Sequence, residues 1–94
     1  MRTYELMTIY RPDMAEADVR TAVDKVQEDL TGRGATVTSS DFWGKRRFAY
    51  EIDHMNEGYY AVVQFEAEAD AVDTVSRALK LSDDVVRHKI VRPE

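Results

Sequence analysis

The sequence contains no cysteine, only two prolines and four glycines, and a single tryptophan. Without cysteine the chain forms no disulfide and offers no thiolate for catalysis or metal binding, and a reducing compartment is permitted. No apolar run approaches the roughly 18 residues of a membrane span, and the first residues lack the apolar stretch and cleavage site of a secretory signal. These absences favour a soluble cytoplasmic protein.

Length and charge describe one small domain with an uneven surface. With 94 residues, of which 44% are hydrophobic and 33% charged, the chain fits a single domain over residues 1–94 with one core. Its net charge is -5, yet three cations are adjacent at Lys45, Arg46 and Arg47. A second basic group near the end consists of Arg87, Lys89 and Arg92. Such local excess of positive charge suggests an anionic partner.

Hydrophobic periodicity predicts six elements in the order strand, helix, strand, strand, helix, strand. They cover about residues 2–10, 13–32, 35–52, 59–66, 68–80 and 85–92. Asp13 and Glu16 match a helix-capping pattern, and Gly32 and Gly34 end the first helix. The turn between the two middle strands is predicted at residues 54–58.

The long second strand has a flaw in its alternation. Val37 is apolar at an odd position, whereas Phe42, Phe48, Tyr50 and Ile52 are apolar at even positions. The inward face must therefore change parity between them. A bulge or a bend near Gly44 would do this, because a bulge adds one residue and glycine tolerates the backbone angles required.

This element order predicts an α+β domain with the ferredoxin-like βαββαβ topology. Two split βαβ units with right-handed crossovers form a four-stranded antiparallel sheet in the order 4-1-3-2, with both helices on one face. Strand two is then an edge strand. The other side of the sheet, which we call the open face, is predicted to have no helix over it.

Alternation along the strands assigns side chains to the two sides. Facing the helices we expect Leu6, Phe48, Val63, Phe65 and Ile90, with Arg46 also inward. Expected on the open face are Thr3, Glu5, Met7, Ile9, Lys45, Arg47, Ala49, Tyr60, Val62, Val85, Arg87, Lys89 and Val91. Because this set mixes apolar groups with cations, it indicates a surface shared by a protein partner and a phosphate backbone.

One stretch resembles the signature of a known family, bacterial ribosomal protein six of the small subunit. In that signature a glycine is followed by a basic pair, an apolar residue, Ala-Tyr and an isoleucine. Here the corresponding residues are Gly44-Lys45-Arg46-Arg47-Phe48-Ala49-Tyr50-Glu51-Ile52. Tyr4-Glu5, Gly58-Tyr59 and the ending 85–92 are similar in order and spacing, so the resemblance covers essentially the whole chain. The chain departs from the usual pattern at Phe48, Glu51 and Asp53.

The resemblance implies a ferredoxin-like fold, no catalytic activity, no cofactor and a cytoplasmic, ribosomal location. It also implies binding to the central domain of 16S ribosomal RNA together with ribosomal protein eighteen of the small subunit, and no membrane or small-molecule substrate. As RNA-binding candidates we select Arg2, Lys45, Arg46, Arg47, Arg87, Lys89 and Arg92. As candidates for the partner-protein interface we select Met7, Ile9, Trp43, Tyr60 and Val62.

Other interpretations of the same residues stay open. The cations at 45–47 also suit the protection of an exposed sheet edge, and the apolar candidates also suit ordinary sheet packing. His54 and His88 lack the cysteines or clustered carboxylates of a metal site, and no serine elbow or glycine-rich phosphate loop occurs.

Three other classes of protein share this order of elements. An RNA recognition motif would carry its base-stacking aromatic residues at other positions along the strand than those of Tyr59 and Tyr60 after Gly58. An acylphosphatase-like enzyme would need an anion loop and a placed asparagine, and the only asparagine is Asn56. A ligand-sensing or scaffolding dimer without RNA binding is the main alternative.

Overall fold

A computed structural model describes residues 1–93 of the chain. Its elements are β1 (Arg2–Tyr10), α1 (Glu16–Gly32), β2 (Thr36–Ile52), β3 (Met55–Ala67), α2 (Ala69–Leu81) and β4 (Val85–Val91). The strands form one antiparallel sheet in the order β2-β3-β1-β4. Read from the opposite edge, this is the predicted order 4-1-3-2, and the predicted ferredoxin-like fold is confirmed.

The core lies between the two helices and one side of the sheet. Leu6 and Phe65 are 1% and 0% exposed, and they alternate with residues of the open face along the two central strands. Helix α1 contributes Val19 and Leu30, both 0% exposed. The remaining buried members of this core are Tyr4, Tyr10, Val23, Ala35, Tyr59, Ala61, Val63, Ala67, Ala71, Val72, Val75 and Leu79. Burial of this apolar surface is the main force that holds helices and sheet together.

The N-terminal end of α1 differs from the sequence prediction, whereas its C-terminal end agrees with it. The helix begins at Glu16 with Ala15 as its N-cap and no side-chain cap, while Asp13 instead accepts from Arg11 Nε at 3.3 Å. After the helix, Gly34 has φ +90°, and the Ala35 N–H donates to the Leu30 carbonyl oxygen at 3.0 Å. A glycine ends the helix because this left-handed backbone carries little steric cost without a Cβ.

The pairing of strand β2 with β3 is interrupted at three places, where one was predicted. The register shifts between Val37 and Ser39, between Phe42 and Gly44, which has φ +82°, and between Arg47 and Ile52 near the hairpin turn. Each extra residue reverses the side to which the following side chains point. Lys45, Arg46 and Arg47 therefore lie on the sides opposite to those predicted, and Phe48 faces the open side, where its ring meets that of Tyr60.

The hairpin of β2 and β3 extends past the end of β1. Tyr10 pairs with Tyr59, but β2 continues to pair with β3 as far as Ile52 and Met55. The turn consists of Asp53 and His54, with φ 50° and 65°, so β3 starts earlier than the predicted residue 59. Two consecutive left-handed residues give the tight turn that matches the twist of a hairpin.

Candidate RNA and protein interface

The open face has an apolar centre on the two middle strands. Ile9 lies opposite Tyr60, and Met7 lies opposite Val62, so their side chains are on the same side of the sheet. Ile9 and Val62 are only 6% and 7% exposed although they lie away from the helices. Their burial requires a cover supplied by neighbours on the open face itself.

Aromatic rings supply part of that cover. The ring of Trp43 stacks on that of Tyr60 with centroids 6.1 Å apart, and Phe48 meets Tyr60 edge-on at 6.0 Å. Trp43 nevertheless remains 45% exposed. The structure therefore brings the five predicted partner-interface residues together, and it adds Phe48, which had been predicted to lie in the core.

Gly58 permits this arrangement. A Cβ at this position would lie 2.8 Å from both Ile9 Cγ2 and the Tyr10 carbonyl oxygen, and 3.0 Å from Phe48 Cζ. Real Cβ atoms do not approach other heavy atoms that closely, so a larger residue would force the strands or rings apart. The absence of a side chain at Gly58 lets Phe48 and Ile9 close over the hairpin.

Three cations lie on the open face beside the apolar centre. Arg87 is opposite Ile9 and Lys89 is opposite Met7, both exposed on the edge strand β4. Arg46 is opposite Gly58 on the other edge strand, and its guanidinium lies 5.8 Å from the centroid of the Trp43 ring. Its Nε donates to the Trp43 carbonyl oxygen at 3.3 Å. The prediction that Arg46 points inward is therefore wrong.

Lys45 and Arg47 lie on the helix side of the sheet, which corrects their predicted place on the open face. Lys45 is paired with the core residue Tyr59, and its Nζ lies 5.1 Å from the centroid of that ring. Arg47, two residues after Lys45 and on the same side of the sheet, is paired with Glu57. The physical reason is the register shift between Phe42 and Gly44, which reverses the two sides for the residues that follow it up to Arg47.

The remaining predicted residues lie at the ends of strands. Arg2 pairs with the buried Ala67 at the start of β1, which places it on the helix side. Arg92 directly follows β4 and is exposed. Val85 packs against the core instead of the open face, because the β1 and β4 register shifts between Ile9 and Tyr10.

The two ends of the open face differ in charge. At one end, Gln64 Nε2 donates to Glu5 Oε2 at 3.0 Å, and Glu66 lies opposite Thr3. Toward the hairpin, the carboxylates give way to Arg87 and the aromatic rings. An anionic partner is therefore favoured at the hairpin end and disfavoured at the Glu5 end.

His88 lies on the helix side of the sheet, where its ring forms a hydrogen bond with a side chain of α2. Its Nε2 is 2.9 Å from Ser76 Oγ, and partial burial, followed by the charge of Lys80, lowers its pKa. Within residues 1–93 no group of three or more histidine or acidic side chains is placed to hold a metal ion. Neither helix in that range is long and apolar enough to cross a membrane.

Comparison with known proteins decides the family. The family model described as "Ribosomal protein S6" matches residues 3–92. The chain belongs to the ribosomal protein S6 family. Its members are structural proteins of the small ribosomal subunit and not enzymes, so the predicted family, the absence of catalysis and the cytoplasmic, ribosomal location are confirmed.

Relatives of known name extend over the whole chain. The small ribosomal subunit protein bS6 of Symbiobacterium thermophilum is 48% identical over 93 residues, covering 99% of this chain and 98% of the relative. The bS6 protein of Desulforamulus reducens is 45% identical over 92 residues, covering 98% and 97%. The crystal structure of 30S ribosomal protein S6 from Thermotoga maritima superposes with a TM-score of 0.92 at 27% identity, covering 97% of this chain and 86% of that chain.

Membership of the S6 family gives the open face a context. A constituent of the small subunit works in translation as part of a ribonucleoprotein that contains ribosomal RNA. A sheet side with exposed cations and a part-exposed tryptophan is chemically suited to such surroundings, since cations bind phosphates and rings stack on bases or pack against protein.

Proposed function

We propose that this chain, acting as one domain over residues 1–94, binds the central domain of 16S ribosomal RNA together with ribosomal protein eighteen of the small subunit. The single observation that supports this most is the division of the sheet into strips. The cations of the open face, Arg46, Arg87 and Lys89, lie on the outer strands β2 and β4, and the apolar residues of that face lie mainly on the inner strands β1 and β3.

The apolar strip is proposed as the site of the partner protein. Its members are Met7, Ile9, Trp43, Tyr60 and Val62, with Phe48 added from the structure. Neighbouring strands are about 4.8 Å apart, so the two outer strands lie about 14 Å from each other. That width accommodates one extended peptide segment between the basic margins. Stacked aromatic rings that keep part of their surface exposed are typical anchors for such a contact.

The basic margins are proposed as the RNA contacts. They consist of Lys45, Arg46 and Arg47 on β2 and Arg87, Lys89 and Arg92 at β4, with Arg2 at the start of β1. On an edge strand, side chains from both sides of the sheet reach the margin. Lys45 and Arg47 therefore remain candidates although they lie on the helix side and Arg46 lies on the open face. Lysine and arginine bind phosphate oxygens, and arginine also stacks on unpaired bases.

Filter binding to a transcript of the 16S central domain tests this proposal. We expect RNA binding to weaken steeply as salt is raised, because it depends on contacts between cations and phosphates. We expect it to strengthen when protein eighteen is added, because the two proteins are proposed to bind the RNA together. A transcript of equal length from another domain of the same RNA is the control. Equal affinity for the two transcripts, or no effect of protein eighteen, would contradict the proposal. A stable homodimer in sedimentation that binds neither transcript would favour the alternative of a dimer without RNA binding.

A further inference from the structure

The charges of the open face are separated along the strands. Glu5 and Glu66 lie toward the end where β1 begins, whereas Arg87 and Arg46 lie toward the hairpin. Within residues 1–93 none of these four side chains takes part in an ion pair. A single copy of the face therefore presents uncompensated charge of opposite sign at its two ends.

The first pair of opposite charges is centred on Met7. Glu5 is two residues before Met7 on β1, and its Oε2 accepts a hydrogen bond from Gln64 Nε2 at 3.0 Å, which orients the carboxylate. Arg87 of the neighbouring strand β4 pairs with Ile9, two residues after Met7. Glu5 and Arg87 therefore lie at equal distances along the strands from Met7, about 7 Å in each direction.

The second pair of opposite charges has the same centre. Glu66 and Gly58 lie four residues on either side of Val62 on β3, and Arg46 of the neighbouring strand β2 pairs with Gly58. Val62 itself pairs with Met7. The two carboxylates lie on the inner strands and the two guanidinium groups on the outer strands, arranged symmetrically about this central pair.

We propose that the open face binds a second copy of this chain across a two-fold axis that runs between the two faces, perpendicular to the strands, at the central pair. Rotation about this axis places the acidic end of each copy over the basic end of the other. Glu5 then meets the partner's Arg87, and Glu66 meets the partner's Arg46. Each arginine has to cross one strand spacing of about 4.8 Å, which its long side chain spans.

The area of the open face is that of a weak interface. Four strands about 4.8 Å apart, covered over about eight residues of about 3.4 Å each, give about 500 Å² for each copy. The total of about 1,000 Å² is at the lower limit of specific interfaces. The contact also covers Met7, which is half-buried, and Trp43, which is 45% exposed. We therefore expect a dissociation constant of about 100 μM at low salt, and weaker association as salt screens the ion pairs.

This dimer uses the same face as the proposed complex with RNA and protein eighteen, so the two exclude each other. The free protein would then keep its apolar strip covered until RNA and protein eighteen replace the second copy. That consequence rests on the proposed function, whereas the self-association does not.

Sedimentation equilibrium of the full-length protein without RNA, from about 20 μM to about 1 mM, measures the dimer at low and high salt. Glu5→Arg and Arg87→Glu should each weaken it by about tenfold or more, because like charges then meet at both symmetry-related contacts. An equimolar mixture of the two variants should restore association to about the level of the unaltered protein. In the mixed dimer, every contact between positions 5 and 87 again joins opposite charges.

Asp73→Arg and Arg77→Glu are the matched controls, because they make the same changes of charge at exposed positions of α2 on the other side of the sheet. Neither should change the dissociation constant by more than about twofold. Absence of self-association, equal losses in the control variants, or a mixture that associates no better than its two components would each overturn the proposal. A dimer that neither Glu5→Arg nor Arg87→Glu weakens would also overturn it, since it would use another surface. Because no RNA is present, any of these failures leaves the proposed RNA binding to its own test.

Discussion

The rings of Trp43 and Tyr60 lie nearly parallel, 8° apart, with centroids separated by 6.1 Å. Tyr60 is on the inner strand β3 and Trp43 is beside a bulge of the edge strand β2, so the stack ties the edge of the sheet to its centre. The guanidinium of Arg46 lies 5.8 Å from the centroid of the Trp43 ring. One aromatic stack therefore joins the apolar strip to the basic margin.

Replacing Trp43 by alanine should weaken binding of protein eighteen by about tenfold or more, because a stacked, part-exposed aromatic is a typical interface anchor. The salt dependence of RNA binding should stay unchanged, since no charge is lost. Calorimetry with the purified partner measures the first and filter binding the second. Tyr50→Ala is the matched control, as Tyr50 is a 73% exposed aromatic on the same strand. Equal losses in both variants would contradict a specific role for Trp43.

Tyr10→Phe should raise the free energy of unfolding by about 1 kcal/mol, because it removes a buried hydroxyl that has no hydrogen-bond partner among residues 1–93. Urea denaturation followed by tryptophan fluorescence measures the change. Tyr4→Phe is a control at another buried tyrosine of β1, whose hydroxyl is not in this situation. A loss of stability in Tyr10→Phe larger than that in Tyr4→Phe would show that the Tyr10 hydroxyl has a stabilising partner.

Gly58→Ala should lower the free energy of unfolding by about 1–3 kcal/mol, since the added Cβ meets the Tyr10 carbonyl oxygen and Ile9 at 2.8 Å. Thermal and urea denaturation check this. Gly32→Ala is the matched control, because a Cβ there has nothing within 4 Å. We expect that control to be neutral or stabilising. Equal free energies of unfolding for the two variants would contradict this, because they would mean that the hairpin accommodates a Cβ at Gly58 without loss of stability.

The pH dependence of stability should include a contribution from His88. Its pKa is lowered in the folded state, so the unfolded chain binds more protons and protonation favours unfolding. The contribution to stability is therefore fully present above the unfolded pKa of about 6.5 and is lost as pH falls through the lower folded pKa. Urea denaturation at several pH values across this window measures the loss.

Two variants assign that pH dependence. His88→Gln should flatten it below about pH 6.5, because the titrating group is removed. Lys80→Gln should reduce it in part, because the charge of Lys80 is the second cause of the lowered pKa, after burial. An unchanged profile in His88→Gln would assign the pH dependence to other groups.

Much of the fold was predictable because it depends on periodicity. The alternation in β1 and the helical spacing of Val19, Val23 and Leu30 give the element types, and the split βαβ order then leaves one common topology. The side assignment in β2 after Gly44 was predicted wrongly, because it depends on counting the bulges. Val37 and Phe42 already required one change of parity, and Gly44 marked a second that the prediction merged with the first.

That single error reversed a specific part of the candidate site. It placed Phe48 in the core and Arg46 inward, whereas both lie on the open face next to Tyr60. The residues of β1, β3 and the later part of β4 were assigned correctly, since their alternation there is unbroken. That the Tyr10 hydroxyl makes no hydrogen bond within residues 1–93 has no sequence signal, because it depends on the packing around a buried side chain.

The central claim is that the basic margins of the sheet bind RNA phosphates. Two double variants address the two margins separately: Lys45→Gln with Arg47→Gln, and Arg87→Gln with Lys89→Gln. Each cation that binds a phosphate releases counterions from the RNA, so the slope of log affinity against log salt should fall by about one for each phosphate-binding cation that is replaced. Folding stability should change little, because these side chains lie at the sheet edges.

The measurement that tests this most directly is filter binding of these variants to the 16S central domain over a salt series. The control is Lys25→Gln with Arg77→Gln, which removes two exposed cations from the helices and the same total charge. Our account predicts a shallower slope in both margin variants and an unchanged slope in the control. Slopes that are the same in all three variants as in the unaltered protein would contradict it.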